Sequence, residues 1–405
     1  MKYGSKIIVW HECYVTGGSD WSIIDILTNW PNKNCNFDFF VNKKHEGINL
    51  LQKSLNKNCK FNYYNSVIEK INNLKKTFLF KYLLNVFILR KLFTFYFLIT
   101  TFFSIHKKLK NKNFDYILIN NGGYPGGLTS YLVIISSFIL KKKVAMIIRN
   151  FPAHNYKKNL SMFIVRLIVI FFNCKLISVS KSLKKSLEND AGIDRKKIKV
   201  IYNGISLQNK KKFLKEKKRK IKNYSVGIFG RIESRKGHHH LIKAWKLVEK
   251  KLPNLNLYIV GNGEMKYITS LKNIININKL NKKKIIWLNY TNNIYTLLKQ
   301  IDLVVVPSVK FESFGRIAVE AMALKKPIIT SNFGGLKEVN INKKTGFTIN
   351  VKDKKILSNK IIELMINKNK RKLFGSRGEK NYKKNFTSSM MSKKYYKFVK
   401  NNLQK

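Results

Sequence analysis

The sequence predicts an α/β protein of two doubly wound domains, and three observations carry that reading. The chain has 405 residues, too many for one ordinary core and natural for two domains of roughly 200. Short β-type apolar runs alternate with longer helical stretches, the pattern of parallel sheets with crossover helices. A Lys-rich stretch without a periodic apolar face divides that alternation into two series. Hydrophobic residues make up 44% of the chain, which excludes a largely disordered one.

In the first series, Lys6–Trp10 (KIIVW) reads as a buried strand leading to a Gly17-Gly18 turn and an amphipathic stretch from Asp20. Asp115–Ile119, Val144–Ile148 and Lys175–Ser180 are the next strands, with Ser180 placed to cap a helix from Lys181. Lys199–Tyr202 then runs into the Asn203-Gly204 turn. The divider is Asn209–Asn223. The second series holds Ser225–Phe229, Leu257–Val260, Ile285–Leu288, Leu303–Val306 and Pro327–Thr330, and the tail from Asn381 reads as helical. The predicted division is a first domain over 1–208, a linker over 209–223, a second domain over 224–380 and a terminal helix over 381–405. Such sheets take ligands at the carboxyl ends of their strands, so the loops there should carry the chemistry.

Eighty Lys and Arg against 21 Asp and Glu give a formal charge of +59. Lysine supplies most of it, alongside abundant Asn and Ile, a profile that drift in an A/T-rich genome also produces. An anionic membrane surface, nucleic acid or a polyanionic substrate would each suit this charge, so charge alone selects none. The aromatic residues sit in apolar runs rather than interleaving with basic ones as a stacking platform would, so no nucleic-acid partner is expected.

Cys13, Cys35, Cys59 and Cys174 are scattered without a CxxC spacing and read as free thiols in a reducing compartment, with no metal site expected. The Ile7–Trp10 run is too short for the core of a signal peptide. Leu92–Ile105 lacks charge for about fourteen residues, below the ~18 needed to span a membrane. It reads as a buried or interfacial helix whose Lys and Arg neighbours reach towards phosphates. With Met162–Phe172, the Phe78–Ile105 stretch suggests docking on an anionic inner leaflet; the competing reading makes both core helices. Adjacent helical residues point in different directions and cannot chelate together, so His238-His239-His240 reads as helix surface.

Two stretches could carry chemistry. In the first, a strand runs into Gly230, then Arg231, and five residues later Lys236 before Gly237. The glycine lets a bulky anion approach the backbone, Arg offers a planar fork and Lys a compact second charge, which suits a diphosphate. In the second, Glu312 follows a strand and Glu320 lies eight residues on, in a chain short of acidic residues. Ser313, Phe314 and Gly315 should open the next helix with free backbone N–H groups, and Glu320 should lie a little over two turns along it. One carboxylate can accept hydrogen bonds from sugar hydroxyls, and the other can take a ribose diol.

These segments resemble the retaining glycosyltransferases of family 4. Gly230 to Gly237 with Leu241-Ile242-Lys243-Ala244 looks like that family's G-R-x-x-x-x-K-G…L-I-x-A segment, and Glu312 with Glu320 its E-x7-E motif. Further matches include Gly17-Gly18, Ser178-Val179-Ser180, Tyr202-Asn203-Gly204, Gly261-Asn262-Gly263-Glu264, Gly334-Gly335 with Glu338, and Gly346-Phe347. The match is strong in the second half and loose in the first.

The resemblance implies two Rossmann-like domains facing across a cleft, the GT-B fold, with a C-terminal helix returning to the first domain. It makes Arg231 and Lys236 the groups that neutralise the donor diphosphate, and Glu312 the contact to the transferred sugar. Ser313, Phe314 and Gly315 would hold sugar and phosphate through their backbone, Glu320 would bind the ribose, and Gly17 and Gly18 would face the phosphates. No metal or other cofactor is required, and the mechanism implied is front-face substitution with retention. Where many relatives carry a sugar-facing His, this sequence has Arg149-Asn150-Phe151, with His154 as the nearby candidate.

The expected activity moves a hexose-type sugar from a nucleotide diphosphate to a glycan acceptor. That acceptor would be polyprenyl-diphosphate-linked and destined for a bacterial surface polysaccharide, such as capsule or O-antigen. The expected location is cytoplasmic, on the inner face of the plasma membrane. The rival readings are a basic nucleic-acid binder and a related two-domain epimerase or phosphorylase.

Overall fold

A computed structural model describes residues 5–56, 59–74, 87–152, 160–207, 224–290, 294–310 and 312–404. The chain divides into two compact units, one of Met1–Ile201 with Met391–Lys405 and one of Tyr202–Met390. The predicted linker, 209–223, lies outside the described residues.

The first unit is built on strands β1 (Lys6–Glu12), β2 (Asn36–Asn42), β3 (Cys59–Tyr64), β4 (Tyr116–Asn121), β5 (Lys143–Ile148), β6 (Lys175–Ser178) and β7 (Ile198–Val200). Their order is β3-β2-β1-β4-β5-β6-β7, and every pairing is parallel. Ile7, Ile8, Val9 and Trp10 of β1 are buried, as a strand covered on both faces requires. Sequence reading does not anticipate β2 and β3, because neither carries an aliphatic run. β2 (NFDFFVN) is aromatic with a charge in it, and Asp38 is satisfied by Lys112 at 3.0 Å and Asn62 at 3.1 Å. β3 (CKFNYY) is a half-buried edge strand.

The second unit carries β8 (Ser225–Phe229), β9 (Asn256–Val260), β10 (Ile285–Leu288), β11 (Leu303–Val306), β12 (Ile328–Ser331) and β13 (Gly346–Ile349). The order is β10-β9-β8-β11-β12-β13, again parallel throughout. Leu241 and Trp245 of helix His238–Lys251 pack with Val226, Leu257 and Leu303 in its core. β13 (GFTI) is too short and too mixed to be read as a strand from sequence.

Both sheets change direction at their middle. Strand order reverses between β1 and β4 and between β8 and β11, so each sheet has a crevice at the carboxyl ends of those pairs. The tail departs from the predicted single helix over 381–405. Helix Lys368–Asn385 stops and helix Ser388–Gln404 starts afresh. Ile205 N–H donates to the Phe386 carbonyl at 2.9 Å and Ser388 N–H to the Ile205 carbonyl at 3.1 Å, holding the junction extended. From Met391 the last helix belongs to the first unit, where Ser392 Oγ donates to the Ile26 carbonyl at 2.6 Å.

Candidate functional site

The second unit brings its two candidate segments together at the β8/β11 switch point. β8 ends at Phe229 and delivers Gly230 and Arg231; a short 3-10 turn, Ser234–Lys236, then places Lys236. Gly237 ends that turn in the left-handed region, at φ 75°, and a Cβ there would strike the Pro307 carbonyl oxygen in the loop after β11. Val309 N–H donates to the Arg235 carbonyl at 2.8 Å, so the two loops are joined through their main chains.

Across this junction Lys236 Nζ lies 2.6 Å from Glu312 Oε2, and Ser308 Oγ donates to the same oxygen at 2.7 Å. Burial alone would raise the Glu312 carboxyl. The Lys236 ammonium, its hydrogen bond and that of Ser308 outweigh it and hold the group below the ordinary carboxylate range. Glu312 is therefore an acceptor only. Arg231 is exposed and forms no hydrogen bond or ion pair among the described residues, and open space faces the Cα of Gly230. A phosphate can reach this backbone and this guanidinium without displacing a side chain.

Gly315, at φ 89°, is the N-cap of helix Arg316–Ala323, so Ser313 and Phe314 form the turn before it. Glu320 is the fifth residue of that helix, a little over one turn along and not two, because the helix starts at Arg316. Its Oε1 is 3.6 Å from Arg316 Nη2. The Phe314 ring is buried between Tyr202 and Phe386, with centroids at 6.2 and 5.7 Å, so the side chain anchors the turn and leaves only the backbone for a ligand. Gly335 N–H donates to the Glu312 carbonyl at 2.9 Å, and Tyr202 Oη donates to Glu338 at 2.9 Å.

His238 corrects the sequence reading. As the first residue of its helix it faces the core, 1% exposed, and burial pulls its imidazole down to about 4. His239 and His240 are half-buried.

In the first unit, Gly17 caps and Gly18 opens helix Gly18–Thr28, which follows β1 beside the β1/β4 switch point. Gly17 N–H donates to Asp20 Oδ2 at 2.7 Å, and open space faces its Cα. Asp20 is also 2.7 Å from His11 Nε2 and 3.2 Å from His45 Nε2. Burial would raise this carboxyl, but the hydrogen bonds from the two histidines hold it far below the ordinary range. Asn120 Nδ2 faces His11 Nδ1 at 2.7 Å, and Arg149 Nε donates to Asn120 Oδ1 at 2.7 Å. An amide nitrogen can only donate, so His11 carries its proton on Nε2, towards Asp20. Burial lowers the His11 pKa, in keeping with that neutral form.

Sequence reading missed His11, His45 and Asn120. Asp20 was within reach, since an acidic residue three places after a helix-leading Gly can reach back to its N–H. His11, Asp20 and His45 offer metal-type ligand atoms within 4.8 Å of one another, and of these His11 is hydrogen-bonded to Asp20 while His45 Nε2 lies 3.2 Å from it. Arg149 is a buried member of this network. His154 lies outside the described residues. The four cysteines are free, as predicted.

Residues 208–381 match the family model of glycosyl transferases group 1. The capsular polysaccharide biosynthesis glycosyltransferase CapM of Staphylococcus aureus is 26% identical over 68% of this chain and 74% of its own length. An Escherichia coli UDP-Gal:α-D-GlcNAc-diphosphoundecaprenol α-1,3-galactosyltransferase is 26% identical over 62% of this chain and 66% of its own. Among solved structures, Anabaena HepE in complex with UDP superposes with a TM-score of 0.72 at 19% identity, over 98% of this chain and 100% of that one. That likeness establishes the GT-B fold. Residues 208–381 are thus similar to the glycosyl transferases of group 1, within a chain whose fold is of the GT-B type.

Proposed function

We propose that this glycosyltransferase moves a hexose from a nucleoside diphosphate to a lipid-linked glycan acceptor, with retention and without a metal. The observation that carries the reading is the β8/β11 switch point. There Lys236 is paired with an ionised Glu312 beside the exposed Arg231 and the open backbone of Gly230. A diphosphate entering there meets two cations, and Lys236 can exchange part of its contact with Glu312 for a phosphate oxygen. Glu312, kept ionised, accepts hydrogen bonds from sugar hydroxyls but has no proton to give. The acceptor's proton therefore goes to an oxygen of the departing diphosphate, which stays on the face of attack. Electrostatic stabilisation of that leaving charge is the main catalytic effect, as preorganised donors in other enzymes illustrate. Glu320 takes the ribose.

The acceptor rests on chemistry shared with relatives. The Escherichia coli relative is named for a diphosphoundecaprenol acceptor and the Staphylococcus aureus relative for capsular polysaccharide. Assembly of a surface polysaccharide at the cytoplasmic face of the plasma membrane joins both.

A thermal-shift screen across nucleotide-sugars, followed by transfer assays with EDTA and NMR assignment of the product anomer, tests the proposal. A donor at a hundred times its Kd should stabilise the fold by about 2.7 kcal/mol. Transfer should persist in EDTA with the donor's anomeric configuration. No stabilising donor, an inverted product or a strict metal requirement each refutes its part.

A further inference from the structure

We infer that the outward face of helices Phe87–Lys110 and Leu160–Phe171, with the end of helix Thr129–Ile139, docks on a bilayer carrying anionic lipid. The three helices lie side by side on the first unit. On helix Phe87–Lys110, Thr101, Ile105 and Leu109 are buried, whereas Leu92, Phe95, Tyr96, Ile99 and Phe103 form a solvent-facing stripe at helical spacing. Phe95 and Phe103 are each 63% exposed. Helix Leu160–Phe171 repeats the arrangement, with Val165 and Val169 buried and Phe163, Ile164, Leu167 and Phe171 exposed. Phe138 and Ile139 add to the same apolar surface. An apolar face of this extent marks an interaction site rather than ordinary surface.

Charge selects the occupant. Residues 87–110, 129–143 and 160–175 contain no Asp or Glu, and Lys91, Lys107, Lys110, Lys141 and Lys143 are exposed near the ends of the helices. Apolar side chains ringed by flexible cations suit the acyl boundary and phosphate layer of an anionic membrane. Pairing with a second copy would press like-charged lysine rims together in a chain of charge +59. Among the described residues no helix is long and apolar enough to cross a membrane, and the inner side of each stripe is packed on protein, so the helices lie on the surface.

The inference deepens the lipid-linked acceptor reading, but vesicle binding needs neither donor nor transfer. Co-sedimentation of the full chain with phosphatidylcholine vesicles, with and without phosphatidylglycerol, tests it beside sedimentation velocity of the free protein. The wild type should bind the anionic vesicles and not the neutral ones, more weakly as salt rises. F95E/F103E should lose about tenfold or more of that binding while keeping its melting temperature and its stabilisation by nucleotide-sugar. Equal binding by wild type and variant, or no binding to either vesicle, overturns the inference. A dimer that F95E/F103E dissolves also overturns it and assigns the face to a second copy. Vesicle binding without any stabilising nucleotide-sugar would instead remove the proposed function and leave the docking face standing.

Discussion

Replacing Lys236 by Met tests the core of the site through stability as well as activity. The pair it breaks is mostly buried, with side chains 21% and 11% exposed, so the loss should fall below the 3–5 kcal/mol of a fully buried pair, at about 2–3 kcal/mol. For a unit of this size that corresponds to a melting shift of about 4–12 °C. The sign of the pH dependence follows from Glu312. In the wild type its folded pKa is depressed, so its contribution is present above the unfolded value of ~4.3 and lost as pH falls through the folded value. Without Lys236, burial raises the carboxyl, and the variant loses stability as pH rises from that unfolded value through its raised folded value. The gap between wild type and variant should be widest near neutrality, and should close only as pH falls below ~4.3 through the wild type's depressed folded value. Differential scanning calorimetry across that range reads it, and a second change, Glu312→Gln, should recover most of the stability but none of the transfer. A gap independent of pH, or a double variant no more stable than Lys236→Met alone, would refute the reasoning.

Arg231→Ala should leave the melting temperature unchanged, since the side chain is exposed and without a partner among the described residues, yet reduce kcat by ~10²–10³; steady-state kinetics beside a melting curve checks both. Glu320→Gln should abolish discrimination between ribo- and 2′-deoxyribonucleoside diphosphates, measured by calorimetric binding of each to wild type and variant. His238→Leu should flatten the acid side of the stability profile. With its folded pKa near 4 and an unfolded one near 6.5, the wild type's unfolded state takes the proton first and gains as pH falls through that window, to about 3 kcal/mol. Gly237→Ala should cost ~2–4 kcal/mol, because Ala must hold a left-handed φ of 75° against the Pro307 carbonyl; chemical denaturation measures it.

The alternation of apolar strands with helical stretches was enough to read two parallel α/β units, because strands buried on both faces must be aliphatic throughout. β2 escaped notice because its burial is aromatic and interrupted by Asp38, and β3 because an edge strand carries no such requirement. At the site, Gly230, Arg231, Lys236, Glu312 and Glu320 were legible as residue types in short loops after strands. What local spacing could not disclose was which of them touch. The Lys236–Glu312 contact spans 76 residues and depends on β8 and β11 being neighbours, a fact of sheet order. The His11–Asp20–His45–Asn120 network is still less local, since three separate segments meet at the end of β1. His238 misled because a helix's first residue turns inward or outward according to the approach of the chain before it.

The loops of the second unit meet at their glycines, main chain against main chain. A Cβ at Gly261 would strike the Gly230 carbonyl, one at Gly263 the Ile232 carbonyl, and one at Gly335 the Ser313 carbonyl. At these contacts the joint is made by main chain and asks little of the side chains next to it. Descendants of this sequence can therefore exchange neighbouring residues, and with them the sugar they prefer, while the platform beneath keeps its shape. The glycines themselves have no such freedom, because any side chain there would meet a neighbouring carbonyl.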